Sequence, residues 1–356
     1  MKIMIHQLRE YDLAEADRIF RLAFGTFFGL SDPMSFAGDA DYVRTRYYAD
    51  PTSAYGATIV NGKGKGGGGP SNGNDDRKLV GSNFTANWGS VGFFGPLTVH
   101  PDYWDKGVAR SLMELTMQLF SKWNTKYSGL FTFAQSPKHI SLYQKYGFWP
   151  YFVTAVMSKA VSPKTANSVN KESLQWSKYS DVSKMEKESD GYLVGDCRRL
   201  TTSIYDGLDL KVEIMSVIKQ QLGDIVIIWD PDTTNDTTSN NRDIAGFAIC
   251  HCGAGTEAGS NTCYIKFAAV WPPRSASDSD NLVAANNFDR LIDACTTFTS
   301  QLGLSRLVAG VNTSRRQAYE KMLSKGFRID MLGVVMQNGV DVGYNRPNVY
   351  VMDDWR

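Results

Sequence analysis

The 356-residue sequence predicts an α/β (α+β) fold of two tandem lobes, each a mixed, mostly antiparallel twisted sheet flanked by helices. Three observations carry this. Stretches with a hydrophobic period near 2 alternate with stretches of period near 3.6 along the chain. The length suits about two domains of roughly 150 residues each. The element order of the first half returns in the second, with the best match between YQKYGF at 143–148 and MLSKGF at 322–327. A repeat on that scale means two copies of one fold rather than a solenoid. The expected division is 1–161, a polar linker at 162–172 (SPKTANSVNKE), and 173–356.

The first lobe reads βααβββαβαβ. IHQLRE (5–10) is strand-like. DLAEADRIFRLAFGTFF follows as a helix, with Asp12 as N-cap and Leu13, Ala16, Ile19, Phe20 and Ala23 at helical spacing. DADYVRTRYYAD (39–50) is a second short helix, stopped by Pro51. AYGATIV (54–60) is a strand, and KLVGSNFTANWGSVGFFGPLTV (78–99) reads as two strands meeting near Trp88-Gly89. In GVARSLMELTMQLFSKW (107–123), Val108, Leu112, Leu115 and Leu119 share one helical face. GLFTFAQ (129–135) is an apolar strand. SPKHISLYQKYGF is a helix with Ser136 as N-cap and Pro137 at N1, ending at Gly147. YFVTAVMSKAV (151–161) closes the lobe as a strand.

The second lobe repeats the scheme. LQWSKYS (174–180) is strand-like, and helical material runs from about 192 to 221. DIVIIWD (224–230) is a strand, and IAGFAICHCG and TCYIKFAAVW pair. A long helix over 280–303 carries Phe288, Leu291, Cys295, Phe298 and Leu302 on one stripe. A strand at 306–312, a helix ending at Gly326 and two tail strands complete it.

Net charge is +1, so no global field draws the chain to nucleic acid or anionic lipid. No apolar run reaches the ~18 residues of a membrane helix, and the N-terminus has no signal-peptide core. The expectation is a cytoplasmic protein without nucleic-acid or membrane partners. The five cysteines all lie in the second half and read as free thiols in a reducing compartment. Cys250-His251-Cys252 continues a strand alternation, and no second ligand pair follows at finger spacing, so no metal is expected.

Two glycine stretches compete for a functional role. GKGKGGGGP at 62–70 fails as a phosphate loop: no Gly-Lys is followed by Ser or Thr, and no helix follows. It reads as a hairpin insertion, and DTTNDTTSNNRD at 232–243 as its counterpart in the other lobe. VHPDYWDKGVARSL at 99–112 is different. A strand leads in and a helix leads out, with Gly107 and Ala109 at the helix start. First-turn N–H groups lack internal partners and the helix dipole is positive there. Glycine lets a large anion approach the backbone closely.

These residues resemble a known family. V-H-P-x-x-x-x-x-G-V-A-x-x-L is similar to the acetyl-CoA loop of the GCN5-related N-acetyltransferases (GNAT), V-x-P-x-x-[RQ]-x-x-G-x-[GA]. LYQKYGF (142–148) is similar to that family's closing motif. The resemblance covers roughly 1–160 and, more weakly, the second lobe. Trp104 stands where the family has Arg or Gln, and Ser136 where many members have Asn.

The resemblance implies acyl-CoA-dependent N-acetyl transfer to a primary amine of a small molecule or peptide, with acetyl-CoA as co-substrate. It implies a cofactor site of Trp104 with the main-chain amides of Asp105, Lys106, Gly107, Val108, Ala109 and Arg110, which would anchor CoA. Trp104 would pack over the cofactor or against the neighbouring strand. Lys106 and Arg110 would add charge or remain solvated. Leu97, Thr98 and Val99 would align the thioester and supply an oxyanion N–H. Tyr143 holds the position of the acid that protonates the leaving thiolate, its alternative being a packing residue. His139, one turn earlier, offers a base. The tail VYVMDDWR offers Asp353, Asp354 and a terminal carboxylate; N-myristoyltransferases and Eis-type relatives are similar in using the last. Phe27, Phe28 and Trp149 would line an acceptor pocket or pack in the core. The second lobe lacks the glycine loop and has Met322 in the slot of Tyr143, so one active site per chain is expected. The contrasting possibility is an inactive acyl-CoA-binding or scaffold protein, against which Tyr143 speaks.

Overall fold

The computed structural model describes residues 2–60, 77–162, 176–185, 189–231, 243–275 and 277–356. The glycine stretch at 62–70, most of the linker and nearly all of 232–243 lie outside the described residues. In chain order the first half contains β1 (Lys2–Gln7), α1 (Leu13–Phe27), α2 (Tyr42–Ala49), β2 (Ala54–Val60), β3 (Arg77–Trp88), β4 (Val91–Phe94), β5 (Thr98–Val99), α3 (Val108–Lys122), β6 (Tyr127–Thr132), α4 (Pro137–Gln144) and β7 (Phe148–Ala160). The second contains β8 (Trp176–Lys178), α5 (Tyr179–Met185), α6 (Ser189–Ile204), α7 (Lys211–Gln220), β9 (Gly223–Trp229), β10 (Ile244–Gly253), β11 (Gly259–Val270), α8 (Asp278–Gln301), β12 (Arg306–Asn312), α9 (Arg316–Ser324), β13 (Arg328–Asn338) and β14 (Val351–Met352).

The helices form where the apolar spacing predicts them. Ala16, Ile19, Phe20 and Ala23 are the buried face of α1, and Val108, Leu112, Leu119 and Phe120 that of α3. Two caps differ from expectation. Asp12 does not cap α1; it closes a 3-10 turn, and its carboxylate accepts the Arg9 N–H at 3.0 Å. Ser136 makes no cap bond to α4, because its hydroxyl pairs with His139 Nδ1 at 2.9 Å instead. The strand expected across 91–99 is interrupted after Phe94 and resumes at Thr98.

Among the described residues one sheet of fourteen strands runs through both halves: twelve in the order β1-β2-β3-β4-β6-β13-β7-β12-β11-β10-β9-β8, with β5 branching from β3 and β14 from β11. The two halves exchange strands at its centre. β13, from the end of the second half, lies between β6 and β7 and pairs antiparallel with both. β7, from the end of the first half, lies between β13 and β12. Strands buried on both faces read as continuous apolar runs, and β10 is buried from Ile244 to His251.

Helices cover both faces. α1 and α2 pack on one face of the first half, α3 and α4 on the other. In the second half α8 and α9 cover one face. A single cluster joins Leu200, Ile214 and Val217 of α6 and α7 to Trp88, Phe93, Tyr127 and Trp355. The halves thus share one core.

Candidate active site

The site begins with a fork in the sheet. β4 pairs in parallel with β6, Val91 to Phe93 opposite Tyr127 to Gly129. After Phe94 the chain leaves β6, and β5 pairs with β3, Gly81 opposite Val99 and Ser82 opposite Thr98. Thr98 is pinned there by its hydroxyl, 3.1 Å from that of Ser82. The His100 N–H points to Val80 O on β3 at 2.8 Å. Backbone alternation therefore turns the N–H groups of Leu97 and Val99 toward the open fork. Among the described residues nothing pairs with the Leu97 N–H or C=O. Trp104 does not stand free over the fork: its indole N–H donates to Val99 O at 2.7 Å, bracing the loop against the strand.

From the fork the chain enters the 100–107 loop and α3. Gly107, the N-cap, has φ 83°, the left-handed region that glycine enters at low cost. The first helical bond is Ser111 N–H to Gly107 O at 3.1 Å, and no side chain caps the helix. Among the described residues the N–H groups of Asp105, Lys106, Gly107, Val108, Ala109 and Arg110 have no hydrogen-bond partner. A Cβ on Gly107 would meet only Ile3 Cδ1, at 4.0 Å, so the surface over these amides is open. Cationic side chains ring it but are engaged locally. Lys106 donates to Asp102 O at 2.6 Å, Lys138 pairs with Asp105 at 2.8 Å, and Arg110 pairs with Glu114 at 3.0 Å.

Tyr143 lies beneath the fork, buried among Phe94, Leu130, Phe148 and Met113. Its ring meets Phe94 edge-on at 5.6 Å. Burial pushes its phenol well above the ordinary tyrosine value, so it carries its proton at neutral pH. Among the described residues its hydroxyl has no hydrogen-bond partner. His139 is half-buried, and its ring lies 5.3 Å from that of Phe27. Burial, helped by Lys138, lowers its pKa, leaving a neutral imidazole at pH 7.

Phe27 and Phe28 meet Phe133 at the end of β6, at 5.5 and 5.0 Å. Because Phe27 also touches His139 of α4, this aromatic group lies where the end of α1 meets α4. Trp149 is exposed, away from this aromatic group.

Buried charged residues that the motifs do not announce lie where β4 leaves β6. Arg46 of α2 donates to Gly95 O, where β4 leaves β6, and to the main-chain oxygen of Arg356. It also pairs with the buried Glu257 at 3.1 Å. Lys266 bridges Glu257 at 2.7 Å and Glu213 at 3.1 Å, and Glu213 accepts the Trp88 indole N–H at 3.0 Å. Burial opposes the charge on Glu257, but Arg46 and Lys266 outweigh it and hold the carboxylate ionised. The tail ends here. Trp355 stacks on Phe93 at 5.7 Å. Asp354 accepts from Tyr264 at 2.8 Å, and burial raises its pKa. Asp353 is occupied by Arg315 at 2.5 Å and Tyr344 at 2.6 Å. A cleft of about 270 Å³ opens beside Arg356, lined by Tyr42, Glu257, Tyr264, Arg306 and Asp330 among others. Glu257 and Lys266 share one hairpin, but Arg46 and Glu213 come from distant segments; a buried charge shows itself only once its partners are assembled.

The second half has the same fork, but it is filled. β11 pairs with β12 over Thr262 to Ile265. Beyond that, Ala268 and Ala269 take β14 on the edge that β12 vacates, opposite β10. The start of α8 is closed as well. The Ser277 hydroxyl accepts from the Asp280 N–H at 3.2 Å, and Asp278 and Asp280 put negative charge in the first turn. Met322, in the slot of Tyr143, is fully buried.

Among the described residues no group of three or more His, Cys, Asp or Glu is arranged to hold a metal ion. Nor is any helix there long and apolar enough to cross a membrane.

Residues 42–148 match the model of the acetyltransferase (GNAT) family. No curated protein sequence matches the chain. Among solved structures, a putative acetyltransferase from Pyrococcus horikoshii superposes with a TM-score of 0.58 at 11% identity, covering 98% of this chain and 93% of that one. A GCN5-related N-acetyltransferase from Sphaerobacter thermophilus gives 0.51 at 11%, covering 96% and 98%. N-myristoyltransferase from Saccharomyces cerevisiae, solved with bound myristoyl-CoA, gives 0.57 at 11%, covering 95% and 79%. At such identities the likeness is one of fold, and it extends over both halves.

Proposed function

We propose that this chain, which belongs to the acetyltransferase (GNAT) superfamily, transfers an acetyl group from acetyl-CoA to a primary amine of a small molecule or peptide. The observation that carries the reading is the asymmetry of the two forks. The first is open and leads to six unpartnered amides; the second is filled by the chain's own β14 and leads to a capped, acidic helix start.

In this reading the amides of Asp105 to Arg110 hold the CoA pyrophosphate. Trp104 holds the loop in place rather than touching the cofactor. The thioester lies in the fork between Leu97–Val99 and β6, its carbonyl directed at an outward N–H of Leu97 or Val99. The acceptor approaches from the α1–α2 side, past Phe27 and Phe28 and the cleft beside Arg356. The amine lone pair attacks the thioester carbon, and negative charge develops on the carbonyl oxygen at the strand N–H. The carbon–sulfur bond then breaks, and the thiolate takes its proton from Tyr143. A thiolate leaving into the apolar pocket that raises the Tyr143 pKa is itself desolvated, so proton transfer relieves it. His139, neutral at pH 7, takes the proton released by the amine.

Tyr143→Phe tests the assignment. Removing the phenol proton should lower kcat by roughly 10²-fold or more while CoA affinity, read by calorimetry, stays unchanged. A variant with wild-type turnover over an amine and peptide panel would exclude Tyr143 as the acid. An absence of acetyl transfer by the wild-type protein across that panel, with CoA still bound, would favour a binding or scaffold role.

A further inference from the structure

The second half gathers four of the five cysteines in one place, and the proposed transfer uses none of them. Cys250 and Cys252 lie on β10, Cys263 on β11 and Cys295 on α8. Strand alternation puts Cys250 and Cys252 on one face, and that face packs beneath α8, where all four sulfurs join a single cluster.

Within the cluster one pair is set apart by backbone geometry. Cys252 and Cys263 are directly opposite in the β10–β11 register. The Cys252 N–H donates to Leu222 O at 2.7 Å, on the β9 edge of β10. Its N–H and C=O therefore point away from β11, which makes 252/263 a non-hydrogen-bonded pair. Such pairs bring Cα atoms to about 4.5 Å, inside the roughly 4.4–6.8 Å that a disulfide spans. The two sulfurs are 3.6 Å apart, and a modest χ1 rotation closes them to the ~2 Å of a bond. Cys250 and Cys263 are only diagonal neighbours, a longer span. Cys252 is half-buried, while Cys250, Cys263 and Cys295 are enclosed, so a soluble oxidant meets Cys252 first.

We propose that Cys252 and Cys263 form an oxidation site: a dithiol that a hydroperoxide converts to a cross-strand disulfide. The Cys252 sulfur attacks the peroxide, the O–O bond breaks, and water or an alcohol leaves with the first thiol proton. Cys263 then attacks the sulfenic acid at Cys252, the S–S bond forms, and a second water leaves. Two S–H bonds are lost and two electrons pass to the peroxide. The Cys252 thiol donates to the Cys263 sulfur at 3.6 Å; that bond, then burial, raises the Cys252 thiol while the Cys263 thiol is lowered, so Cys252 reacts first by exposure and Cys263 is the better closing nucleophile. The disulfide would staple the base of the hairpin whose tip docks on the first half. There the Asp41 N–H donates to Thr256 O at 2.9 Å and the Gly255 N–H to Asp39 O at 3.0 Å.

The test exposes the folded full-length chain to hydrogen peroxide, unfolds it in denaturant with an alkylating agent to block every remaining thiol, and maps the peptides without reduction. The expected result is one intramolecular link joining the Cys252 and Cys263 peptides, with alkylatable thiols falling from five to three and returning on reduction. Cys252→Ser should yield no link and keep its four thiols; because the mapping is read on the wild-type chain, the conclusion does not depend on how that variant folds. Five thiols still alkylatable after exposure, a link between other cysteines, or over-oxidised Cys252 without a link would each overturn the proposal.

Discussion

Gly107 and His251 show how a single residue's backbone or burial sets a measurable behaviour. Gly107 sits at φ 83° with space around it, so a substitution there is penalised by conformation and by crowding of the amides rather than by a clash with the core. A β-branched residue in the left-handed region costs roughly 1–2 kcal/mol. Gly107→Val should weaken CoA binding at least about tenfold, some 1.4 kcal/mol, while changing Tm little. Calorimetry on the folded variant checks this, and unchanged affinity would remove the loop from the cofactor site. His251 is buried, and among the described residues neither ring nitrogen has a hydrogen-bond partner. Burial, then Lys266, lowers its pKa to about 4 from the ordinary 6.5. The folded state thus binds fewer protons than the unfolded state between those values, and stability falls as pH drops from about 6.5 to about 4. The full loss is about 3 kcal/mol. Denaturant titrations at pH 7 and pH 5 should show it in the wild type and a shallower slope in His251→Leu; equal slopes would assign the pH dependence elsewhere. Gly107 is legible in the sequence because a motif surrounds it. His251 is not: a strand alternation displays it, but its burial and the charges of Lys266, Glu257, Glu213 and Arg46 that act on it depend on the folded arrangement.

At the scale of elements, the two forks differ by what fills them. β4 and β5 leave β6 with an open edge, whereas β11 and β12 part around β14. The chain should therefore bind one CoA, and isothermal titration reads that directly; two tight sites would mean that β14 is displaced from its fork. Helix faces and most strands are legible because their hydrophobic periods are local. The break between Phe94 and Thr98 is not, since the run SVGFFGPLTV is apolar throughout and the parting of strands is a relation between segments. The caps at Asp12 and Ser136 mislead for a related reason: each side chain has a competing local partner, Arg9 N–H and His139, that composition does not rank.

At the scale of the molecule, the exchange of β7 and β13 makes each half depend on the other. Val334, Val335 and Met336 of β13 are buried between β6 and β7. At roughly 1.5–3 kcal/mol for each such side chain, their contribution is on the order of a domain's whole stability. A fragment of residues 2–162 should fail to fold, and the intact chain should unfold in one calorimetric transition; a soluble fragment with a cooperative melt would show that the first half closes without β13. The internal repeat predicts two lobes, each with its own sheet, whereas one sheet runs through both halves. That their last strands cross over is invisible in the sequence, because either pairing buries the same alternating residues.

The crossing also sets a clock. A ribosome adding about 5–20 residues per second completes β7 at Ala160 and reaches β13 only at Arg328, an interval of about ten to thirty seconds. Through it, the nascent first half carries two unclosed strand edges, so vectorial, domain-by-domain folding is denied to this chain. The first half can close its sheet only once β13 has been made, with β6 and β7 unpaired on that side until then.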